Sequence, residues 1–439
     1  MSTSLICAVD TQSASAPVRR GSLPSLTGLR WCSALLVFGL HVHNFGYVDG
    51  PNGALVWRIF NILVAGGSCG VSVFFVLSGF VLVWASRPAE RARDLWWRRA
   101  ARVYPLHLAT ALIAGVLAST FVTSLNSRDG LGNVANLLLV SSWNHNWWQV
   151  LDPASWSLVC EAFFYALFPL IMLVLTRCSV RALYVIAGTA VTITLALAVV
   201  GAFPWFPIDV YSFPAARLPE FVVGMTAALL VRRDALRGPR LSAAIGIWVG
   251  AYAIACFLSY KLLPSAITLV PSVLLIAALA RQDLTGRVGL LGSRLFVRLG
   301  EISYAFYLTQ LLVIHTVNAV ASHLMFNVTL RGPVVLVGVF ALTLGLSWAL
   351  NVIVERPSRV WLLSLQTIVK RRSAGEALIF AASSEDVLDG MSRNPVSCTC
   401  TGCYIARYGG SGSPVQCTAA EAWEISVSLN ELVGAMWLR

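Results

Sequence analysis

Residues 60–85 read FNILVAGGSCGVSVFFVLSGFVLVWA, twenty-six positions without an Asp, Glu, Lys or Arg. As an α-helix rising 1.5 Å per residue the stretch is about 39 Å long, more than the ~30 Å hydrocarbon core of a bilayer. Lipid offers the backbone no hydrogen-bond partner, so a run this apolar crosses a membrane as a helix. Working outward from it, comparable runs bounded by polar or Gly/Pro clusters lie at 31–48, 103–124, 155–176, 182–203, 213–231, 241–260, 263–280, 299–320 and 333–354. Together they predict an all-α fold, a polytopic membrane bundle of about ten transmembrane helices.

Composition agrees. Of 439 residues 57% are hydrophobic and 12% charged, about half the charge density of a soluble domain, which excludes an ordinary soluble enzyme. The formal net charge of +12 would raise nucleic acid in a soluble chain. Here the basic residues form short runs between apolar segments, the pattern that sets membrane orientation, and no nucleic-acid partner is expected. Threading from a cytoplasmic N-terminus puts Arg19, Arg20, the Arg87 to Arg102 cluster, Arg177, Arg181 and the runs 232–240, 281–298 and 356–372 on one side. Arg58, Arg128, Lys261 and Arg331 fall on the other. That asymmetry predicts an even number of spans in the plasma membrane, with both termini cytoplasmic.

Three parts follow. Residues 1–25 are a polar, Ser-rich N-terminus with no cleavable signal core, residues 26–360 are the membrane unit, and residues 361–439 are a cytoplasmic tail. After Arg372 the tail has seven acidic and three basic residues and no spanning segment, so it reads as a loosely ordered appendage. Its Cys398-x-Cys400-x2-Cys403-x13-Cys417 lacks paired zinc-ligand spacing. Free thiols are expected there, and no metal. Between spans, residues 125–154 form the longest outer loop, whose Trp143-Asn144-His145-Asn146-Trp147-Trp148 suits a membrane-interface belt or a carbohydrate platform.

Ionisable residues inside spans are expensive and are paired or functional. His41 follows Arg30 by eleven residues, about three turns, placing both on one face roughly 16 Å apart. An imidazole near the middle of a span is either a general base toward a hydroxyl or a partner in an inter-helix hydrogen bond. Ser157, Glu161 and Tyr165 share a face, where Glu161 can orient the histidine or grip a substrate hydroxyl. Arg217 and Glu220, three apart around Pro219, read as an internal ion pair. Arg99 and Arg102 lie one turn apart where a basic loop enters the third span, and they suit either a phosphate-rich ligand or positive-inside anchoring. Gly66, Gly67, Gly70, Ser78 and Gly79 make a small-residue face for close packing or close approach of a ligand.

The order of these motifs carries a resemblance. Leu26-Thr27-Gly28-Leu29-Arg30 with His41, then Gly70-Val-x-x-Phe-Phe-x-x-Ser78-Gly-Phe, Arg99-x-x-Arg102-x-x-Pro105 and Trp156-Ser157-Leu158-x-x-Glu161-x-x-Phe164-Tyr165 open it. Arg217-Leu-Pro-Glu220-Phe-x-x-Gly224, Leu299-Gly-x-Ile-Ser-Tyr304-x-x-Tyr307-Leu308 and Glu355-Arg-Pro357 complete it. Over residues 26 to 357 the chain resembles the acyltransferase 3 family of integral membrane acyltransferases.

The resemblance implies a ten-helix enzyme moving an acyl group, short ones such as acetyl favoured, from cytoplasmic acyl-CoA to a hydroxyl of a carbohydrate or glycoside acceptor. It implies no bound cofactor beyond the acyl-CoA co-substrate. By analogy His41 is the catalytic base and Glu161 a second essential polar residue, while Arg30, Arg99 and Arg102 engage the CoA phosphates or their entrance. Ser78, Trp156, Ser157, Tyr165, Arg217, Tyr304, Tyr307 and Gln310 complete the expected substrate-binding set. Gln310 departs from the histidine of many members, and it can hydrogen-bond without taking a proton. The runner-up is a proton-coupled transporter or exporter of a sugar-like solute, since buried His and Glu also suit a proton relay; no inverted repeat supports it.

Overall fold

The computed structural model describes residues 22–368, apart from 47–54, 88–89, 126–128, 204, 207, 237, 259–262 and 324–332. The tail cysteines, most of the N-terminal segment, Arg128, Lys261 and Arg331 lie outside the described residues.

Helix α1 (Pro24–Asn44) starts with proline at its first position, where the missing N–H has no partner to lose. Helix α2 (Leu55–Ala65) passes through a tight turn at Gly66–Ser68 into α3 (Cys69–Ala85), so the uncharged 60–85 stretch is one span pinched at its double glycine. Then follow α4 (Ala92–Thr120), the short α5 (Gly130–Leu137), α6 (Trp156–Arg177), α7 (Val180–Val200), α8 (Pro214–Arg232), α9 (Leu241–Ala255), α10 (Leu263–Leu284), α11 (Arg294–His323) and α12 (Pro333–Leu350). Helix α12 runs into a π-helical turn at Asn351–Glu355. Among the described residues nine helices are long and apolar enough to cross a membrane. The tenth predicted span corresponds to α9, whose 15 residues extend about 22 Å.

Small residues set the packing at the centre. A Cβ on Gly79 would fall on the Phe221 carbonyl oxygen, and one on Gly224 on that of Val76, so α3 and α8 touch backbone to backbone. Gly28 against Leu291 and Gly300 against Thr27 do the same where α1 meets the start of α11. Lipid is as apolar as leucine, so helices associate through such close contacts and through polar pairs. Helices α1, α3, α8, α10 and α11 carry much of the buried core, while α7 and α9 expose Val185, Val249 and Ile254.

The segment 129–155, read from sequence as a membrane-interface belt or a carbohydrate platform, also has a buried polar interior: Asn136, Ser141, Ser142 and Asp152 are buried, and it folds as α5 and short turns leading into α6. Polar backbone at that depth needs internal partners, and these side chains supply some of them.

Candidate active site

Two cavities occupy opposite ends of the central helices. The first, about 80 Å³, lies where α1, α4 and α11 begin, and it gathers Arg30, Ser78, Arg99, Arg102, Ser157, Glu161, Tyr165, Tyr304 and Tyr307. Glu161 and Tyr165 meet because residues four apart share a helix face. Tyr165 Oη donates to Glu161 Oε2 at 2.8 Å, and Ser78 Oγ on α3 donates to Oε1 at 2.9 Å. The Arg99 guanidinium lies over the Tyr165 ring, 5.7 Å from its centroid, and the Arg99 Nε is buried without a hydrogen-bond partner. Arg98, beside it in sequence, turns away to Glu90 at 2.6 Å. Three guanidinium groups therefore face one carboxylate, leaving the cavity an excess of positive charge and free donors. Tyr304 Oη donates to the Val103 carbonyl at 2.9 Å, tying α11 to the helix that carries the arginine pair.

The second cavity, about 680 Å³, is lined by His41, His43, His315, Trp148, Gln149, Trp156 and Tyr211, among others. His41 sits in the last turn of α1, nearer the helix end than the mid-span position read from sequence, because α1 begins as early as Pro24. Two of the histidines are tied down: His43 Nδ1 meets Asn61 Oδ1 at 2.6 Å, and His315 Nδ1 meets Ser124 Oγ at 2.9 Å. Gln310 lies beside His41, and its Nε2 donates to the Tyr307 carbonyl at 3.2 Å. His41 Nδ1 and Gln310 Oε1 are both buried without hydrogen-bond partners. Glu161 lines the other cavity, where its two oxygens accept from Ser78 and Tyr165.

Between the cavities stands an aromatic wall. Trp156 packs on Tyr211 with centroids 4.7 Å apart and edge-on to Phe75 at 6.4 Å. Arg217, fully buried, forms the expected internal ion pair with Glu220 at 3.2 Å. Neither Arg217 nor Gln310 belongs to the lining of either cavity. Burial pushes the Tyr211 hydroxyl up to about 12, against the pull of Arg217, so it stays a neutral donor.

Sequence reasoning missed a buried network between α4 and the segment 129–155. Thr110 Oγ1 donates to Asp152 Oδ2 at 2.9 Å, and the Ala154 N–H donates to Asp152 Oδ1 at 3.0 Å. His107 Nε2 meets the Asn136 carbonyl at 3.0 Å, and Asn136 Nδ2 donates to Val150 O and Ser155 Oγ, each at 2.8 Å. Burial raises the Asp152 carboxyl to about 7 despite the two donors. The signal available was Asp152-Pro153 just ahead of an apolar run, the start pattern of a helix. Among the described residues no group of three or more His, Cys, Asp or Glu could hold a metal ion.

The acyltransferase domain family matches residues 23–352. Over 317 residues the chain is 38% identical to the acyltransferase MdmB of Streptomyces mycarofaciens, covering 68% of this chain and 80% of that one. It is 26% identical over 179 residues to the peptidoglycan O-acetyltransferase OatA of Listeria monocytogenes, 36% of this chain and 25% of that longer protein. No solved structure matches. A family match spanning the arginine-lined and the histidine-lined cavities together, on a bundle of membrane-spanning helices, makes this chain a member of the acyltransferase 3 family and a multi-pass membrane acyltransferase.

Proposed function

We propose that the chain is an O-acyltransferase that carries a short acyl group, such as acetyl, from cytoplasmic acyl-CoA to a hydroxyl of a carbohydrate or glycoside acceptor on the opposite side of the plasma membrane. The observation that carries this reading is the placement of two chemically different cavities at opposite ends of the same helices, with an aromatic wall between them. Arg30, Arg99 and Arg102 suit the phosphates of the donor, since guanidinium forks match phosphate oxygens. The first cavity is far smaller than a whole-ligand pocket, so it takes the acyl-bearing tip while the nucleotide stays at the arginine rim. The positive-inside pattern supports a cytoplasmic side for that rim and for both termini.

In the second cavity His41 is the general base. Its partner-free Nδ1 is available to take the acceptor proton or to be oriented when the acceptor binds. The acceptor oxygen attacks the thioester carbon, the C–S bond breaks, and CoA leaves as its thiol. No covalent enzyme intermediate and no bound cofactor are required. Trp148, Trp156 and Tyr211 offer flat faces to sugar rings, and the O-acetyltransferase relative named for peptidoglycan supports a carbohydrate acceptor. An acyltransferase activity replaces the transporter reading, because the family matched over residues 23–352 and the 38% identical relative are both acyltransferases.

The test is direct. Purified protein in bilayers is given acetyl-CoA with a panel of glycans and glycosides. Release of CoA matched by an acetyl ester on one acceptor supports the reading; absence of acceptor-dependent CoA release across the panel overturns it.

A further inference from the structure

The arginine cavity has a polar end and an apolar end, and helical spacing fixes their order. Along α6 its lining runs from Tyr165 through Glu161 to Ser157, one turn at a time. Along α3 it runs from Ser78 to Phe74, and along α11 from Tyr304 to Tyr307. The Ser78–Glu161 hydrogen bond at 2.9 Å sets α3 and α6 level with each other. The Phe74 and Tyr307 rings meet edge-on with centroids 5.9 Å apart, which does the same for α3 and α11. A turn rises about 5.4 Å. The Phe74–Tyr307 contact therefore lies about one turn beyond the Ser78–Glu161 bond and about two beyond Tyr165, whose ring carries the Arg99 guanidinium at 5.7 Å.

This far end is apolar and stiff. Val71, Phe75 and Leu158 line the cavity beside the two rings, and Phe75 is backed edge-on by Phe164 at 5.2 Å and by Trp156 at 6.4 Å. It is also the end next to the proposed base, because the Tyr307 carbonyl accepts from Gln310 Nε2 at 3.2 Å and Gln310 lies beside His41. The whole cavity holds about 80 Å³, against roughly 300 Å³ or more for a pocket that takes an entire ligand. A donor entering past the arginines meets these rings with its acyl group.

We propose that the facing rings of Phe74 and Tyr307 receive the acyl group of the donor and limit its length, so that these two residues select acetyl over longer acyl groups; this rests on the donor placement proposed above. A methyl group fits against the rings, whereas each further methylene presses on close-packed aromatic side chains that have no space to give. An apolar pocket discriminates one methylene by roughly 10- to 200-fold. The arginines cannot supply that discrimination, because the phosphates they suit are common to every acyl-CoA.

Calorimetric titration of the full chain in detergent with CoA, acetyl-CoA and butyryl-CoA, with no acceptor present, tests the assignment. The wild type is expected to bind acetyl-CoA at least about 10-fold more tightly than butyryl-CoA. Phe74→Val and Tyr307→Val each open the apolar end and narrow that gap by about 10-fold, mainly by tightening butyryl-CoA. Phe168→Val is the control. Phe168 is buried against Phe221 and lines neither cavity, so valine there costs stability and leaves the ratio of the two Kd values unchanged. Equal Kd values in the wild type, an unchanged ratio in either ring variant, or the same change in Phe168→Val overturns the proposal. Should one ring variant fail to fold, the other decides together with the wild-type ratio. A wild type that binds none of the three ligands overturns the donor reading itself, a result distinct from binding without discrimination.

Discussion

At the scale of single residues, the proposed function assigns donor binding to one cavity and the chemistry to the other, and each assignment makes a prediction. Neutralising Arg99 and Arg102 together removes donors at the nucleotide rim, so KM for the donor rises while kcat changes less. His41→Gln keeps a hydrogen-bonding group of similar volume but cannot take a proton, so donor KM holds and kcat falls by about 10²–10⁴. Steady-state kinetics with acyl-CoA varied at saturating acceptor reads both. Near-normal kcat in His41→Gln makes the histidine structural. Glu161 differs from both, because each of its oxygens already accepts a hydrogen bond and its charge offsets the arginines around it.

At the scale of elements, the crossing of α3 and α8 depends on the absence of two side chains. Gly79→Ala and Gly224→Ala each drive a Cβ into a facing carbonyl, and overpacking of this kind destabilises by about 1–3 kcal/mol. Both act on one contact, so the double variant loses less than the sum of the two. Gly246 on α9, which has no atom within 4 Å of a built Cβ, is the control: alanine there is neutral or stabilising. Thermal midpoints in one detergent compare the three variants, and an unshifted midpoint for Gly79→Ala contradicts the packing account.

At the scale of the whole molecule, Asp152 links the 130–155 segment to α4. Its folded carboxyl is raised from 3.8 to about 7 by burial, so the folded state binds a proton that the unfolded state has released between those values. Stability from this group is thus full below about pH 4 and is lost as pH rises through 7. Melting curves from pH 5 to pH 8 should show the wild type losing stability toward the alkaline end, and Asp152→Asn, which stays neutral throughout, should flatten that slope. A slope unchanged by the substitution would show that another group titrates there.

The sequence by itself determined the helices, because lipid leaves a twenty-residue apolar run no other conformation, and it determined the family, because seven motifs recur in order. It also grouped the residues whose proximity is local, such as Glu161 with Tyr165 and Arg99 with Arg102, where helical periodicity alone makes the contact. Only the tertiary structure decided that Glu161 and His41 serve different cavities, that Asp152 is buried, and that Arg217 stands in the wall between the cavities. The physical reason is that a membrane helix is apolar on every side. Its hydropathy does not distinguish the face turned to lipid from the face turned to a neighbour, so which helices meet, and at what depth, is settled by glycine contacts and buried polar pairs between segments far apart in the chain.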